Sequence, residues 1–454
     1  MTALWTSAEI EAATLGKAAC PFSVSGASID SRTLKPGDLY IAIKGETRDG
    51  HDFVADALAA GAGGALVSRL SDRVSTDAPF VMVAHTQRAL EDLAVAARTR
   101  SSAKVVAVTG SAGKTTTKEI LRLAFGALGS VHASGASFNN HWGVPFSLAG
   151  LSRADQYGVF EIGMNHFGEI RSLVGFVRPH VALITAIAPA HLEFFGNCEA
   201  IADAKSEIFE GVAPGGIAVL PADSPYAGRL NARARQHGVA NILTFGSGGD
   251  ARLVGYEESG DGAHIKAEVV GKPVDFRIGA VGAHIASNAL GALLCVAAAD
   301  GDVLNAAAAL KAFVPLKGRG ARLAAGDVAV IDESYNANPA SMAAALATLG
   351  AAAGRRIAVL GDMLELGESS PVLHAGLVSP IDQAKVDLVF LCGPLMRNLW
   401  EALPPRRRAV YAPSSRELVA GVLSALKPGD TVLVKGSNGS RMSVIIEALK
   451  AHTV

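Results

Sequence analysis

Cysteine is scarce in this 454-residue sequence, and its four copies lie far apart. No two of them form a C-x-x-C pair, which disfavours a disulfide-stabilised scaffold and a zinc ribbon. Reduced thiols in a cytoplasmic protein are the simplest explanation. The first residues, MTALWTSAEIEAATLGK, lack a basic stretch followed by an apolar one, so we expect no secretory signal.

Charged residues are also few, at 18% of the chain against about 25% in typical globular proteins. This low share excludes a long disordered tail and a charged coiled coil. The 41 Lys and Arg residues are balanced by 42 Asp and Glu residues. Proteins whose main role is to coat DNA or an anionic membrane depend on a basic excess, so we expect no nucleic-acid partner.

Long apolar runs are nearly absent, and residues 278–299 form the one stretch that requires a check for a membrane span. These 22 residues contain no Asp, Glu, Lys or Arg, and their length would suffice to cross a bilayer. The stretch nevertheless includes Gly279, His284 and Asn288, and its most apolar part is too short. We therefore expect a buried helix of a soluble protein and no membrane span.

Three segments with different patterns predict three α/β domains, over 1–102, 103–314 and 315–454. The second opens with an apolar strand, a Gly-containing loop and a helix, a pattern typical of a parallel sheet covered on both faces. The third alternates apolar strands with Ala-rich helical stretches, which indicates a doubly wound, Rossmann-like domain.

The clearest motif is VVAVTGSAGKTTT, at 105–117, which predicts a P-loop between a strand and a helix. Backbone N–H groups of such a loop bind phosphates, a lysine neutralises their charge, and a hydroxyl can bind Mg²⁺. Val108 stands where the standard pattern has glycine, so the loop is a variant with a tighter front half. The residues assigned to ATP are Thr109, Gly110, Ser111, Ala112, Gly113, Lys114 and Thr115.

Three more candidates follow the P-loop in the sequence. Glu161 ends one apolar strand and His191 follows another, at the carboxyl ends where ligands gather in parallel sheets, and Lys205 lies in a helical pattern. Each is a weak signal alone, but as a set behind a P-loop they predict a magnesium site. A motor, a GTPase, a kinase or a ligase could all use such a site.

Further blocks occur in the order found in one known family: SFNNHWGVP, EIGMNHFGEI, AHLEFFG with AKSEIF, GAHIASN and DESYNANPAS. With the P-loop they cover essentially the whole chain, which therefore resembles the Mur ligase family. The blocks SYNANPAS and KGSNGSRM are similar to those of members that add D-alanyl-D-alanine to a UDP-N-acetylmuramoyl tripeptide. The DNPR motif of the diaminopimelate-adding member is absent.

The resemblance implies an ATP-dependent ligase of peptidoglycan precursor synthesis, which we expect to be cytoplasmic and monomeric. The third residue of its acceptor would be diaminopimelate or lysine. Two alternatives stay open. One is the same chemistry with another amine or acceptor, as in another Mur ligase or a folylpolyglutamate-type ligase. The other is a P-loop switch or motor ATPase, which would hydrolyse ATP without an acceptor and which the charge balance disfavours.

The resemblance also implies roles for particular residues in catalysis and nucleotide binding. The catalytic set would be Lys114, Lys205 and His191, and the Mg²⁺ ligands Thr115, Glu161, His191 and Lys205. Lys205 matches a lysine that relatives carbamylate, which would turn an ammonium that cannot bind a metal into an oxygen ligand. Asn288 matches an adenine contact, Arg319 an arginine at the junction of the second and third domains, and Asp332 a carboxylate near the ribose.

For the substrates, the resemblance implies contacts in the first, second and third domains. The residues so assigned are Ser31, Arg32, Asn139, Asn140, Asn336, Asn338, Ser341, Lys435 and Ser437. The sequence departs from the family at Thr185 and Ala186, where many relatives carry asparagines, and at Asn438, where some have arginine.

Overall fold

The computed structural model describes residues 3–135 and 137–452. The chain divides into two compact units. The first unit holds the described residues of Met1–Val108, Gly129–Ala182 and Glu207–Ile217. The second unit holds Thr109–Leu128, Leu183–Ser206 and the described residues of Ala218–Val454. The division into domains at 102 and 314 stays a prediction.

The N-terminal hundred residues form short strands and three helices. The strands are β1 (Trp5–Thr6), β2 (Lys17–Ala18), β3 (Ser23–Val24), β4 (Gly26–Ser28), β5 (Asp38–Ile41), β6 (Gly64–Val67) and β7 (Phe80–Met82). The helices are α1 (Ser7–Thr14), α2 (Val54–Ala59) and α3 (Thr86–Arg100). Strands β7, β6, β5 and β4 lie side by side and parallel, with β2 antiparallel at the β7 edge.

The middle of the chain contains the longest helix and the longest strand of the described residues. The strands are β8 (Lys104–Thr109), β9 (Val131–Ala133), β10 (Tyr157–Glu161), β11 (Val181–Ile184), β12 (Ile217–Pro221), β13 (Asn241–Phe245), β14 (Ala251–Ser259), β15 (Gly262–Val269) and β16 (Lys272–Ile278). The helices are α4 (Lys114–Gly126), α5 (Gly143–Ala149), α6 (Glu169–Val177), α7 (Leu192–Phe195), α8 (Cys198–Ser206), α9 (Ala227–Gln236), α10 (Ala283–Ala298) and α11 (Val303–Ala309).

Within the first unit, β10 pairs in parallel with both β8 and β9, which places Glu161 opposite Val108. Within the second unit, β14, β15 and β16 form an antiparallel meander that the sequence analysis did not predict. The run at 278–299 becomes α10, whose inner residues are buried as expected. Among the described residues, no helix combines the length and the apolar character that crossing a bilayer requires.

The C-terminal part forms a six-stranded sheet in the order β17, β18, β22, β19, β20, β21. Its strands are β17 (Ala321–Ala325), β18 (Val328–Glu333), β19 (Arg356–Gly361), β20 (Leu388–Cys392), β21 (Arg408–Ala412) and β22 (Thr431–Lys435). Its helices are α12 (Pro339–Gly350), α13 (Ser370–Ala375), α14 (Val378–Gln383), α15 (Arg397–Ala402), α16 (Ser415–Ala425) and α17 (Ser443–Ala451). Only the edge strand β17 is antiparallel.

Helices cover both faces of this sheet. Along β19, Ala358 and Leu360 pack into a cluster with α12 and α15, whereas Ile357 and Val359 pack with α16 and α17. Successive residues of a strand point to opposite faces, so a continuous apolar strand can supply both cores. The prediction of a doubly wound C-terminal sheet is confirmed.

Candidate active site

The loop between β8 and α4 has a backbone that only glycine allows at two positions. Gly110 has φ +152° and Gly113 has φ +81°. A Cβ at Gly110 would lie 1.9 Å from Thr185 Oγ1, and one at Gly113 would lie 2.8 Å from Asn288 Oδ1. Both glycines therefore let neighbouring side chains approach the loop closely. The predicted strand–loop–helix arrangement is confirmed.

Lys114 lies at the first position of α4 and folds back over the loop. Its Nζ donates a hydrogen bond of 2.7 Å to the carbonyl oxygen of Gly110. The loop would surround the phosphates of a nucleotide. Because Lys114 Nζ is bonded to a carbonyl of this loop, its positive charge would lie close to those phosphates.

Three buried threonine hydroxyls lie in or beside this loop. No hydrogen-bond partner for the Oγ1 atoms of Thr109, Thr115 and Thr117 exists in the part of the chain that the structure describes. Buried polar atoms are normally satisfied, so an unpaired set calls for a ligand. A hydroxyl oxygen such as that of Thr115 is a ligand suited to Mg²⁺. The residues present thus fit a nucleotide with its magnesium ion.

Thr185 braces the loop from the side, a role that the sequence analysis missed. Its Oγ1 donates to the carbonyl of Ala112 at 2.6 Å and lies 3.2 Å from that of Thr109. The backbone continues the contact, because Ser111 N donates to Ala186 O and Ala188 N donates to Ser111 Oγ. The departure from the family pattern at Thr185 therefore falls on a residue that holds the P-loop.

Replacing Thr185 with valine keeps the shape of the side chain and removes its donor. We expect an ATP analogue to bind about fivefold to tenfold more weakly, since losing a hydrogen bond to a buried carbonyl costs about 1 kcal/mol or slightly more. Titration calorimetry measures this directly. Thr14→Val is the matched control, because its hydroxyl bonds only to nearby backbone groups, donating to Ile10 O and accepting from Gly16 N. Equal binding by both variants would exclude the bracing role.

The loop also meets the C-terminal segment within the second unit. The buried Asn338 donates its Nδ2 hydrogen to the carbonyl of Ser111 at 3.2 Å, across 227 positions of sequence. Its Oδ1 accepts from Ser341 N, and Ser341 Oγ accepts from Asn338 N, so the two residues cap α12 together. The block SYNANPAS therefore lies against the P-loop, although Asn338 and Ser341 bond to protein groups here.

Lys205 lies in the last turn of α8 and is almost fully buried, with 1% of its surface exposed. Burial lowers its pKa well below the usual lysine value, and the like charge of Lys114 lowers it further. Folding therefore favours the neutral amine at this position. A neutral amine is the form that can react with CO₂.

His191 precedes α7 with a left-handed backbone, at φ +58°. Its Nδ1 lies 2.6 Å from Glu365 Oε2, in the loop after β19. The contact with His191 lowers the pKa of Glu365, so this carboxylate stays ionised at neutral pH. The sequence analysis did not single out Glu365.

Glu161 lies in the first unit, at the end of β10, with 1% of its surface exposed. Its Oε1 accepts a hydrogen bond of 2.8 Å from Asn139 Nδ2. Its Oε2 is buried and has no partner among the described residues. Asn139 thus orients one oxygen and leaves the other for a ligand, which fits a cation. The neighbouring Asn140 accepts from Gly143 N and shapes the turn before α5.

Among residues 3–135 and 137–452, no group of three or more His, Cys, Asp or Glu side chains could hold a metal ion. The expected ligand set contains only two such residues, Glu161 and His191, beside the hydroxyl of Thr115. Any site built from them needs further oxygen ligands, which phosphates or a carbamate on Lys205 would supply. These assignments stay predictions.

Ser31 and Arg32, assigned to the UDP sugar, follow the carboxyl end of β4 in the first unit. Arg32 forms an ion pair of 2.6 Å with Asp30, whose pKa the guanidinium lowers to about 2. The loop after β5 is held by His51, whose Nδ1 lies 2.6 Å from Asp49 and whose Nε2 accepts from Ser68 N. Because β4, β5 and β6 are parallel neighbours, these loops emerge at one sheet edge, where ligands bind in such folds.

Several C-terminal candidates have protein partners. Asp332 is fully buried and accepts from Gly318 N and from the backbone and hydroxyl of Ser334. Arg319 stacks on the Tyr335 ring at 3.8 Å.

The candidates for the dipeptide also bond to protein groups. Lys435 Nζ donates to Glu333 and to the carbonyl of Asn336, and Ser437 Oγ donates to the Ala337 carbonyl. The side chain of Asn336 is exposed. Nucleotide and substrate roles for these residues stay predictions.

Comparison with known proteins identifies the family. Three family models match: "Mur ligase family, catalytic domain" over 23–120, "Mur ligase middle domain" over 108–296, and "Mur ligase, glutamate ligase domain" over 318–438. The UDP-N-acetylmuramoyl-tripeptide--D-alanyl-D-alanine ligase of Rickettsia prowazekii is 35% identical, over 92% of this chain and 93% of its own.

Solved structures of relatives agree. MurF from Acinetobacter baumannii, 31% identical, has a TM-score of 0.86 over 98% of this chain and 99% of its own. The MurF ligase of Thermotoga maritima in complex with ADP, 26% identical, has a TM-score of 0.78 over 94% of this chain and 97% of its own. The chain therefore has the three-domain α/β fold of these enzymes, with a parallel-sheet central domain, and it is a member of the Mur ligase family of ATP-dependent ligases.

Proposed function

We propose that the protein joins D-alanyl-D-alanine to a UDP-N-acetylmuramoyl tripeptide in peptidoglycan precursor synthesis. ATP is consumed, and ADP and phosphate are released. The family membership and the similarity to ligases of this name, over more than nine-tenths of the chain, support this reaction.

One contact carries the proposal in the structure: Asn338 bonded to Ser111 of the P-loop. Asn338 belongs to the block that resembles D-alanyl-D-alanine-adding members, and Ser111 belongs to the loop that would hold the γ-phosphate. The segment expected to recognise the incoming dipeptide would thus lie beside the phosphates of a nucleotide bound by this loop. A ligase needs this arrangement because amine, carboxylate and γ-phosphate must meet in one place.

The chemistry would proceed in two substitutions. A carboxylate oxygen of the tripeptide attacks the γ-phosphorus of ATP, and ADP leaves. The amine of D-alanyl-D-alanine then attacks the carbonyl carbon of this acyl phosphate, the C–O bond to phosphate breaks, and the amine proton passes to solvent or a base. Lys114 would stabilise the charge that spreads over the transferring phosphoryl group. The backbone N–H groups of 110–115 would bind the phosphates.

A magnesium ion would be held by Thr115, Glu161 and His191, together with the phosphates. When bound, it neutralises charge on the β- and γ-phosphate oxygens. The buried, unpaired oxygens of Thr115 and Glu161 support this assignment. Lys205 would be carbamylated by CO₂ and would supply a further oxygen ligand, since burial and the charge of Lys114 lower its pKa and so favour the neutral amine.

The same proposal places the enzyme in the cytoplasm as a monomer. ATP and UDP-linked sugars are found in that compartment, and its reducing conditions suit four unpaired cysteines.

Phosphate release measured with a panel of acceptors and amines tests the function. We expect release only when a UDP-N-acetylmuramoyl tripeptide and D-alanyl-D-alanine are both present. Phosphate release when a single amino acid replaces the dipeptide, or when a folate replaces the acceptor, would favour another ligase of the same family. Release without any acceptor would favour a switch or motor ATPase.

A further inference from the structure

His191 and Glu365 form a contact between two parts of the chain that belong to different family-model matches. His191 lies in the middle domain match, 108–296, and Glu365 lies in the C-terminal match, 318–438. His191 Nδ1 lies 2.6 Å from Glu365 Oε2, but the ring is not oriented for a hydrogen bond, and Nδ1 has no hydrogen-bond partner among the described residues. No role for Glu365 follows from the P-loop, the proposed magnesium ligands or the dipeptide block.

Both residues adopt a backbone conformation that side chains other than glycine rarely take. His191 has φ +58° and Glu365 has φ +62°. Such conformations persist where surrounding contacts enforce them, and they concentrate at functional sites. Two such residues meeting side chain to side chain is a specific arrangement, although the Glu365 side chain itself is 44% exposed.

Backbone contacts fix the pair on both sides. Glu193 N donates to the carbonyl of Glu365 at 3.1 Å. Gly367 comes so close to Glu193 that an added Cβ would lie 3.1 Å from its Cα. Leu192 packs against the apolar cluster of the C-terminal sheet. The backbone of the turn 364–367 is therefore seated on α7, which keeps the exposed side chain of Glu365 within reach of His191.

We propose that Glu365 is a positioning residue that holds the His191 ring through Nδ1 and leaves Nε2 as the nitrogen for the divalent cation. A histidine that binds a metal typically donates its other ring N–H to a carboxylate or carbonyl, which fixes the tautomer and the ring orientation. The inference rests on the proposed magnesium role of His191. The inference adds that Glu365, from the C-terminal segment, supports a metal ligand of the middle segment. Metal affinity therefore depends on the contact between the turn 364–367 and α7.

The test is Mn²⁺ binding by the full-length protein in the presence of ADP. Binding is measured as the loss of the electron paramagnetic resonance signal of free Mn²⁺. Glu365→Ala is expected to weaken Mn²⁺ binding by about tenfold or more, as for other carboxylates that orient a metal-binding histidine. Glu365→Gln should retain part of the affinity, because an amide oxygen at this position can accept a hydrogen bond from Nδ1 once the metal fixes the ring. Glu368→Ala removes an exposed glutamate of the same turn and should bind Mn²⁺ as the unaltered protein does.

The double variant shows whether Glu365 acts through His191. His191→Ala with Glu365→Ala should bind Mn²⁺ no more weakly than His191→Ala alone, since the two changes remove one interaction. If the two changes weaken Mn²⁺ binding additively, the proposal is overturned. It is also overturned if Glu365→Ala binds Mn²⁺ within twofold of the unaltered protein while His191→Ala binds it poorly. Unchanged binding by His191→Ala would remove the magnesium role of His191 itself, and the inference with it.

Steady-state kinetics distinguish two roles of Glu365: orienting His191 for the metal ion, and merely holding the turn 364–367 against α7. In Glu365→Ala we expect the Mg²⁺ concentration for half-maximal phosphate release to rise by about tenfold, with little change in the KM for D-alanyl-D-alanine. A rise in the dipeptide KM alone would contradict the proposal and assign Glu365 to the seating of the C-terminal segment.

Discussion

Replacing Lys114 with alanine is expected to lower kcat/KM for ligation at least about a hundredfold, while the protein still folds. The ammonium lies at the start of α4 and reaches back to the carbonyl of Gly110, the position from which a cation can follow the phosphoryl group as its charge spreads. Removing one such charge costs about 3 kcal/mol or more of transition-state stabilisation.

Phosphate release under saturating substrates measures the effect, and circular dichroism verifies the fold. Lys104→Ala provides the matched control, because Lys104 is an exposed lysine at the opposite end of β8. It should retain its full rate. A Lys114→Ala enzyme within tenfold of the unaltered rate would remove the P-loop assignment.

The second large effect is expected at Lys205. Lys205→Ala should be almost inactive and should regain part of its activity in formate or acetate, because a small carboxylate can occupy the space of the carbamate and supply an oxygen ligand. Lys205→Arg keeps a positive charge, cannot form a carbamate and leaves no space, so we expect it to stay inactive with either additive.

The carbamate can also be observed directly. Its formation requires the neutral amine, which burial and the charge of Lys114 favour by lowering the pKa of Lys205. In the unaltered protein equilibrated with ¹³C-labelled CO₂, we expect a carbamate resonance that is missing from Lys205→Arg. Near-full activity of Lys205→Ala without additives would show instead that Lys205 is a structural lysine.

Local pattern was enough to predict the P-loop and the C-terminal strands. The stretch 105–117 contains strand, loop and helix start in succession, so neighbouring residues determine its geometry. The strands β18, β19, β20 and β22 are continuous apolar runs because helices cover both faces of their sheet. Such features follow from the spacing of apolar residues along the chain, which is visible in a single sequence.

The meander β14–β16 was missed although its signal is present. Buried and exposed residues alternate along β16, as expected for strands with one face in the core. The continuous apolar runs of buried parallel strands are a stronger signal than this alternation, in which charged residues occupy every exposed position of β16 from Lys272 onward except Pro273.

Contacts between distant positions could not be predicted, and they complete the candidate site. Thr185 meets Ala112 across 73 positions, and Asn338 meets Ser111 across 227. Nothing in the local pattern of Glu365 indicates that it would face His191. The resemblance supplied roles for single residues, such as Asn139, but not the bond by which Asn139 orients Glu161.

Oxygen transfer from the acceptor tests the central claim most directly. The tripeptide substrate is labelled with ¹⁸O in its terminal carboxylate and incubated with the enzyme, ATP and D-alanyl-D-alanine, and the phosphate and the peptide product are analysed by mass spectrometry. An acyl phosphate route predicts one ¹⁸O atom in each released phosphate and one pentapeptide for each ADP. Unlabelled phosphate, label in AMP, or phosphate released without pentapeptide would contradict it.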